Sequence, residues 1–311
     1  MPRTGKPCAC LHTPHISLVF ILMTLTWLCQ SLSPASASQV SENDTIKLYA
    51  QDNLYYVKVD TRDSIVKGII DTAATIPLFD ARALRKQRTD LKHKPARTVL
   101  GSNGVRTFEV VEVPDIRIGN HMLTDLSVVV TRLRHTRAYQ AIIPSNSFGG
   151  AVIDLDFPNR VLRTPAHPLA DNPTYTIQKL DCLDHASLLV IDISINGVPG
   201  KAILDTGAEF SYVNTAFVKR AHLQPRRQNQ MFITGLGQET EKLYTTRAAS
   251  FKLGDFVHHR VELMIADIAL FDRLKLASEP AMVLGMDLLK KYRVQIDRRN
   301  KQVRLLKPVK R

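Results

Sequence analysis

"KAILDTGAEFSYVN", residues 201–214, sets a carboxylate, a hydroxyl and a glycine directly after an apolar run. Such a run, bounded by a glycine turn, reads as an interior strand, so Asp205 stands where the strand ends and the chain turns. Asp and Gly are also ordinary turn residues, and the tripeptide alone does not separate a turn from a site. A second copy does. Laid on "VKGIIDTAATIPLFDARAL" (66–84), the segment "GKAILDTGAEFSYVNTAFV" (200–218) matches without a gap and puts Asp71 on Asp205, Thr72 on Thr206 and Ala74 on Ala208. The correspondence continues in order. "LGSNGVRTF" answers "ITGLGQETE", "IRIGNHMLTDLSVVV" answers "FKLGDFVHHRVELMI", and "AIIPSNSF" with "VIDLDFPNRVL" answers "MVLGMDLL" with "VQIDRRNKQVRL". An internal repeat of this kind means two similar structural units, each placing one acid at the end of an apolar strand.

Each unit reads as mostly strand. "YYVKVDT", "IVKGII", "LLVIDISI" and "GKAIL" alternate or run apolar as hairpin strands do, and "NGVPG" supplies a turn. Short helices are expected at 80–87 and 215–223, where apolar residues recur at helical spacing, and at 285–292; "PSNSFGG" lacks that last helix. Pro165, Pro168 and Pro173 punctuate a linker between the units.

These residues resemble those of the tandem retropepsin-like, or bacterial aspartyl protease, proteins of the aspartic protease superfamily. "ILDTGAEFSYVN", "ITGLGQ" and "MVLGMDLL" carry the resemblance strongly; "IIDTAATIPLF", "LGSNG" and "AIIPSNSF" carry it in degenerate form. The resemblance implies an all-β fold of two closed lobes in one chain, a pepsin-like pseudo-dimer with short helices. Lobe 1 would span 46–164, a linker 165–186 and lobe 2 187–308. It implies an aspartic endopeptidase in which Asp71 and Asp205 share one site, and no metal or other cofactor. Thr72 and Thr206 would bond across the lobe interface. Gly207 would let backbone N–H groups approach the carboxylates, with Ala73 at the matching place in lobe 1. Two loops, Gly101, Ser102, Asn103 and Gly104 in lobe 1 and Gly235, Leu236 and Gly237 in lobe 2, would close over an extended polypeptide, which gains main-chain hydrogen bonds as an added strand does.

The chemistry explains the duplication. Hydrolysing a peptide without a metal or a covalent intermediate needs one group to take a proton from water and another to hydrogen-bond the carbonyl oxygen. Two carboxyls about 3 Å apart do both, because like charges that close share one proton. Two departures stand in lobe 1: Ala73 replaces glycine, losing freedom for positive φ and adding a methyl group, and Pro144 stands where lobe 2 has Gly285. Two other readings stay open, a non-catalytic pseudoprotease that binds peptide, and a homodimer pairing Asp205 with Asp205. The single-chain reading expects a monomer.

Composition frames the rest. A 311-residue chain with 44% hydrophobic residues builds a substantial core. Arg3 and Lys6, the apolar stretch Ile16 to Leu28 and the small residues at Ala35-Ser36-Ala37 read as a signal peptide cut after Ala37. The expectation is an exported protein, periplasmic or secreted, the alternative being an uncleaved membrane anchor. Cleavage would leave Cys182 alone, so no internal disulfide could form. The net charge of +13 sits in runs such as 82–97, 131–137 and 219–227. No nucleic-acid motif accompanies them, and export removes most nucleic-acid partners. The reading is a solvated basic surface with a weak attraction to anionic membrane or envelope polymers. His258-His259 lacks companions at metal-ligand spacing and is expected to be exposed.

Overall fold

The structure is a computed structural model that describes residues 45–62, 64–85, 91–101, 104–133, 138–185, 188–233 and 241–309. The expected signal peptide and anchor lie outside them. Among the described residues no helix is long and apolar enough to cross a membrane.

Lobe 1 holds strands β1 (Thr45–Lys47), β2 (Tyr49–Gln51), β3 (Leu54–Asp60), β4 (Ile65–Asp71), β5 (Leu78–Asp80), β6 (Lys92–Gly101), β7 (Gly104–Ile118), β8 (His121–Thr131), β9 (Ala141–Pro144), β10 (Val152–Asp156) and β11 (Val161–Arg163). Lobe 2 repeats them as β12 (Tyr175–Asp181), β13 (Leu183–His185), β14 (Leu188–Ile195), β15 (Val198–Leu204), β16 (Tyr212–Val213), β17 (Arg226–Ile233), β18 (Glu241–Leu253), β19 (Phe256–Ile265), β20 (Ala281–Leu284), β21 (Arg293–Asp297) and β22 (Gln302–Pro308). Each lobe builds an eight-stranded sheet in the same order, β2-β3-β4-β9-β5-β8-β7-β6 and β13-β14-β15-β20-β16-β19-β18-β17. In both, an extra antiparallel pairing, β3 with β7 and β14 with β18, closes the sheet on itself. The turn between β14 and β15 takes Asn196 and Gly197 at φ 51° and 83°, the pair of left-handed residues that suits a tight hairpin.

The halves meet in a third sheet of six strands, β1-β11-β10-β21-β22-β12, three from each lobe about a pseudo-two-fold between β10 and β21. Its apolar face, Ile153, Leu155, Leu162, Val294, Ile296, Val303 and Leu305, joins one buried cluster that takes in residues of both lobes. Its other face is charged. Arg293 forms a two-point pair with Asp154, a residue with no solvent exposure. The segment 164–174 covers Arg304 and Gln295: Arg304 donates to Leu169 O (2.6 Å) and Asp171 (2.6 Å), and the Leu169 N–H donates to Gln295 (3.1 Å). The same hairpin turn recurs in each half, Asn159 donating through its N–H and Nδ2 to Asp156, and Asn300 likewise to Asp297.

Three local expectations are corrected. The stretch read as linker contains β12, which pairs along its length with β22. In lobe 2 a helix α1 (Thr215–Arg220) starts as expected, because the Asn214 side chain accepts the Phe217 N–H. In lobe 1 residues 81–85 form turns rather than helix, with 86 and 87 outside the described residues. Asp80 occupies the place of Asn214, but its carboxylate accepts from Arg82 N–H, the Arg82 guanidinium and Leu133 N–H, so no helix cap remains. Finally, α3 (Met286–Leu289) has a lobe 1 counterpart after all, a 3-10 turn at Ser145–Phe148. Lobe 2 also has a helix α2 (Ala269–Arg273), which lies beside β6 of lobe 1.

Candidate active site

Asp71 ends β4 and Asp205 follows β15, each strand being central in its sheet and running parallel to a neighbour, β9 or β20. Apolar side chains bury both strands, and the turn that follows carries each acid to the seam between the lobes. There the two carboxyls meet over Gly207, near enough for each to act on the other's ionisation. Both are partly exposed, while the threonines behind them are 3% and 2% exposed.

Four hydrogen bonds lock the two loops. Thr72 N–H donates to Thr206 Oγ1 (3.1 Å), and Thr206 N–H donates to Thr72 Oγ1 (3.0 Å). Thr72 Oγ1 then donates to Leu204 O (2.7 Å), and Thr206 Oγ1 to Ile70 O (2.6 Å). A hydroxyl both accepts and donates, so each threonine satisfies one buried N–H and one buried carbonyl of the opposite lobe. Each acid is held from its own loop as well. Asp71 Oδ1 accepts from Ala73 N–H (2.7 Å) and Ala74 N–H (2.9 Å), and Asp205 Oδ1 from Gly207 N–H (2.8 Å) and Ala208 N–H (3.0 Å).

These distances revise the expected part of glycine. Ala73 N–H reaches its carboxylate as well as Gly207 N–H does, and neither residue has a positive φ. What Gly207 provides is space: a Cβ there would lie 2.5 Å from Asp71 Oδ2 and 3.2 Å from Asp205 Oδ1. Gly285 is required for a similar reason, since a Cβ would lie 2.6 Å from the Phe210 carbonyl oxygen.

Burial is the main influence on both acids and pushes their carboxyls up from the ordinary range. For Asp71 the Ala73 and Ala74 N–H groups oppose that rise. Asp205 goes well above the ordinary range, because the Asp71 charge adds to the burial.

Lobe 2 braces its acid more firmly than lobe 1. Ser211 Oγ donates to Asp287 (2.6 Å) and accepts from Gly285 N–H (2.9 Å), while Met286 N–H donates to Ala208 O (2.9 Å). Lobe 1 has Pro77 and Pro144 at the places of Ser211 and Gly285, with neither the hydroxyl nor the N–H to repeat these bonds. A second one-sided contact was not foreseen from sequence. The Glu209 carboxyl lies near the backbone of Asn53 at the β2–β3 turn of lobe 1, and Lys290 Nζ donates to Asn53 Oδ1. Glu209 aligns with Thr75 in the repeat. That change of residue type beside the acid was the signal available.

Of the expected covering loops, Gly101 and Gly104 pair to close the β6–β7 hairpin. Ser102, Asn103, Gly235, Leu236 and Gly237 lie outside the described residues, between the paired ends of β6–β7 and β17–β18. His258 is half-buried rather than exposed, its Nε2 bonded to the Tyr292 hydroxyl, whereas His259 is exposed.

A family model described as "Aspartyl protease" matches the chain twice, over residues 57–147 and 191–288, more than half of its length. The chain is also 25% identical over 171 residues to DNA damage-inducible protein 1 of Kluyveromyces lactis, an alignment covering 52% of this chain and 38% of that protein. Both matched segments contain one of the two acids, and the chain belongs to the aspartyl protease family as a tandem member.

Proposed function

We propose that the chain is a monomeric aspartic endopeptidase in which Asp71 and Asp205 form the catalytic dyad. One observation carries the reading: two carboxyls from opposite lobes abut the single bare Cα of Gly207, on loops held together by the reciprocal threonine bonds. The ionised carboxyl takes a proton from water as the water oxygen attacks the scissile carbonyl carbon. The protonated carboxyl hydrogen-bonds the carbonyl oxygen and gives up its proton to it. The tetrahedral adduct then collapses: its nitrogen accepts the proton that the first carboxyl took from water, one of its hydroxyls returns a proton to the second carboxyl, and the C–N bond breaks, which leaves the pair with one proton as at the start. The substrate is a polypeptide in extended form, covered by the two hairpin tips. The protein works outside the cytoplasm after export through its N-terminal segment, where its basic surface draws it weakly toward anionic envelope polymers.

Asp71 already occupies the place beside Asp205 that a second copy's Asp205 would need, which favours the single-chain site over the homodimer. Asp71→Asn and Asp205→Asn are each expected to lower kcat/KM on an unfolded protein substrate by about 10²–10⁴-fold or more, with the purified protein eluting as a monomer. Full activity in a dimeric Asp71→Asn variant would overturn the single-chain site. No cleavage by wild type from acid to neutral pH would favour a peptide-binding protein instead.

A further inference from the structure

The outer face of β2, β3 and β4 in lobe 1 carries a group of side chains that the dyad does not use. Tyr49 and Tyr56, opposite each other on β2 and β3, stack with ring centroids 5.3 Å apart. Lys47 and Lys58 each set an ammonium 5.2 Å from the centre of the Tyr49 ring, and Lys67 sets one 4.9 Å from that of Tyr56. Attraction to the ring faces holds these charges in place. Ile65, two residues before Lys67 and so on the same face of β4, is 67% exposed.

The fold does not ask for this arrangement. Lys58 and Lys67 stand directly opposite each other on neighbouring strands, and like charges so placed weaken a sheet. Lobe 2 avoids it: Leu183 and Val190 hold the places of the tyrosines, Asp181 and Asp192 those of Lys47 and Lys58, and Lys201, the match of Lys67, donates to Asp192 (2.6 Å). Among the described residues no ion pair takes in Lys47, Lys58 or Lys67, and the side-chain bond of Lys67 goes to the neutral Gln51 Oε1 (2.8 Å). The acid on this face is Asp60, opposite Ile65, whose carboxylate accepts the Arg62 N–H (3.0 Å). The face therefore keeps an excess of positive charge.

Charge, ring and apolar side chain together fit an anionic bilayer. Lysines are drawn to acidic headgroups, and tyrosines sit well at the level of the headgroups. A ligand that stacks bases needs an open ring face, whereas these rings lie against each other and against the ammoniums. The place in the chain agrees. The domain begins at β1, whose last residue is Lys47, and the apolar stretch Ile16 to Leu28 precedes it in the sequence, so the chain enters the domain at this face.

We propose that this face of lobe 1 docks the protein on an anionic bilayer, with the three ammoniums on the headgroups and Ile65 at the edge of the acyl region. The proposal rests on the reading of a basic surface drawn to an anionic envelope and is independent of peptide cleavage. β4 runs from Ile65 at this face to Asp71, about 20 Å along the strand, so docking leaves the dyad clear of the lipid.

The test mixes the full-length protein with vesicles of phosphatidylcholine alone, or of phosphatidylcholine and phosphatidylglycerol in equal parts, and reads co-sedimentation and lysine acetylation mapped by mass spectrometry. The N-terminal segment is common to every sample and its apolar stretch is indifferent to lipid charge, so the difference between the two lipids reports the face. Binding is expected to be tighter on the anionic vesicles and to weaken with added salt. Those vesicles should protect Lys47, Lys58 and Lys67 from acetylation and leave Lys201 unchanged. Lys47→Gln, Lys58→Gln and Lys67→Gln together should lower the affinity for anionic vesicles about 10²-fold, and Ile65→Ser about tenfold, with cleavage of a soluble substrate unaltered. A triple variant that binds anionic vesicles as wild type does, or protection of other lysines such as Lys92 or Lys219 in place of these three, would overturn the proposal while keeping a general attraction to the envelope. Equal binding to both lipids would end both. Alginate, a soluble carboxylated polysaccharide, supplies the charge without a bilayer; if it protects the same three lysines as well as the vesicles do, the face reads a polymer and the bilayer assignment fails.

Discussion

Asp205 stands at the junction of two demands. The chemistry wants a desolvated acid near another, and the fold is weakened by holding one. An acid whose carboxyl is raised by folding contributes its full share of stability below its ordinary value, 3.8, and loses it as the pH rises through the folded value. Asp205→Asn keeps an oxygen for the Gly207 and Ala208 N–H groups while removing the ionisation. Its melting temperature is expected to exceed that of wild type at pH 7, by ~2–4 °C for each kcal/mol gained, with the difference closing toward pH 3.5. Scanning calorimetry at the two pH values checks this, and a lower melting temperature at pH 7 would contradict it. At this scale the sequence was informative where chemistry repeats and silent where packing decides. Asp71 and Asp205 announced themselves through two copies of one pattern. The reason for Gly207 did not, because the atom that excludes a side chain there belongs to the other lobe. His258 misled for the same reason: its partner, Tyr292, is distant in the chain, and nothing nearby marks it as half-buried.

Among elements, the threonine lattice ties the ends of β4 and β15 together, and both side chains are nearly fully buried. Thr206→Val keeps the shape but strands the Thr72 N–H and removes a donor from Ile70 O. A cost of about 1–3 kcal/mol is expected for each buried group left without a partner, read from urea unfolding. The acids' alignment should suffer too, since a displacement of about 1 Å can cost ~100-fold in rate. Thr206→Ser, which keeps both bonds, should stay near wild type in stability and activity; a serine variant as impaired as valine would show that the methyl group matters more than the hydroxyl. The helix expected at 80–87 shows how a repeat can mislead about elements. Apolar spacing is alike in both copies, yet Asn214 caps a helix and Asp80 captures Arg82, a difference of one polar group.

For the whole molecule, the six-stranded sheet was the least legible part. Its strands come from six separated segments between residues 45 and 308, and sequence periodicity gives each strand's faces without naming its neighbours. The sheet and the cluster beneath it make the halves one cooperative unit. Arg293→Met leaves Asp154 fully buried without its two-point partner and is expected to cost about 3–5 kcal/mol. The loss should appear as one earlier transition of the entire protein, with much of it recovered when Asp154→Leu is added. Two separated calorimetric transitions in the variant would show that the lobes hold independently. The tandem arrangement also gives the cleft a direction. Around the dyad lobe 1 presents Ala73, Thr75 and Pro144, and lobe 2 presents Gly207, Glu209 and Gly285. An identical pair of subunits would meet a chain the same way whichever end came first; if a polypeptide binds here as proposed, a chain running from amino to carboxyl end and the same chain reversed would meet different neighbours, so which end leads would itself be something the protein could distinguish.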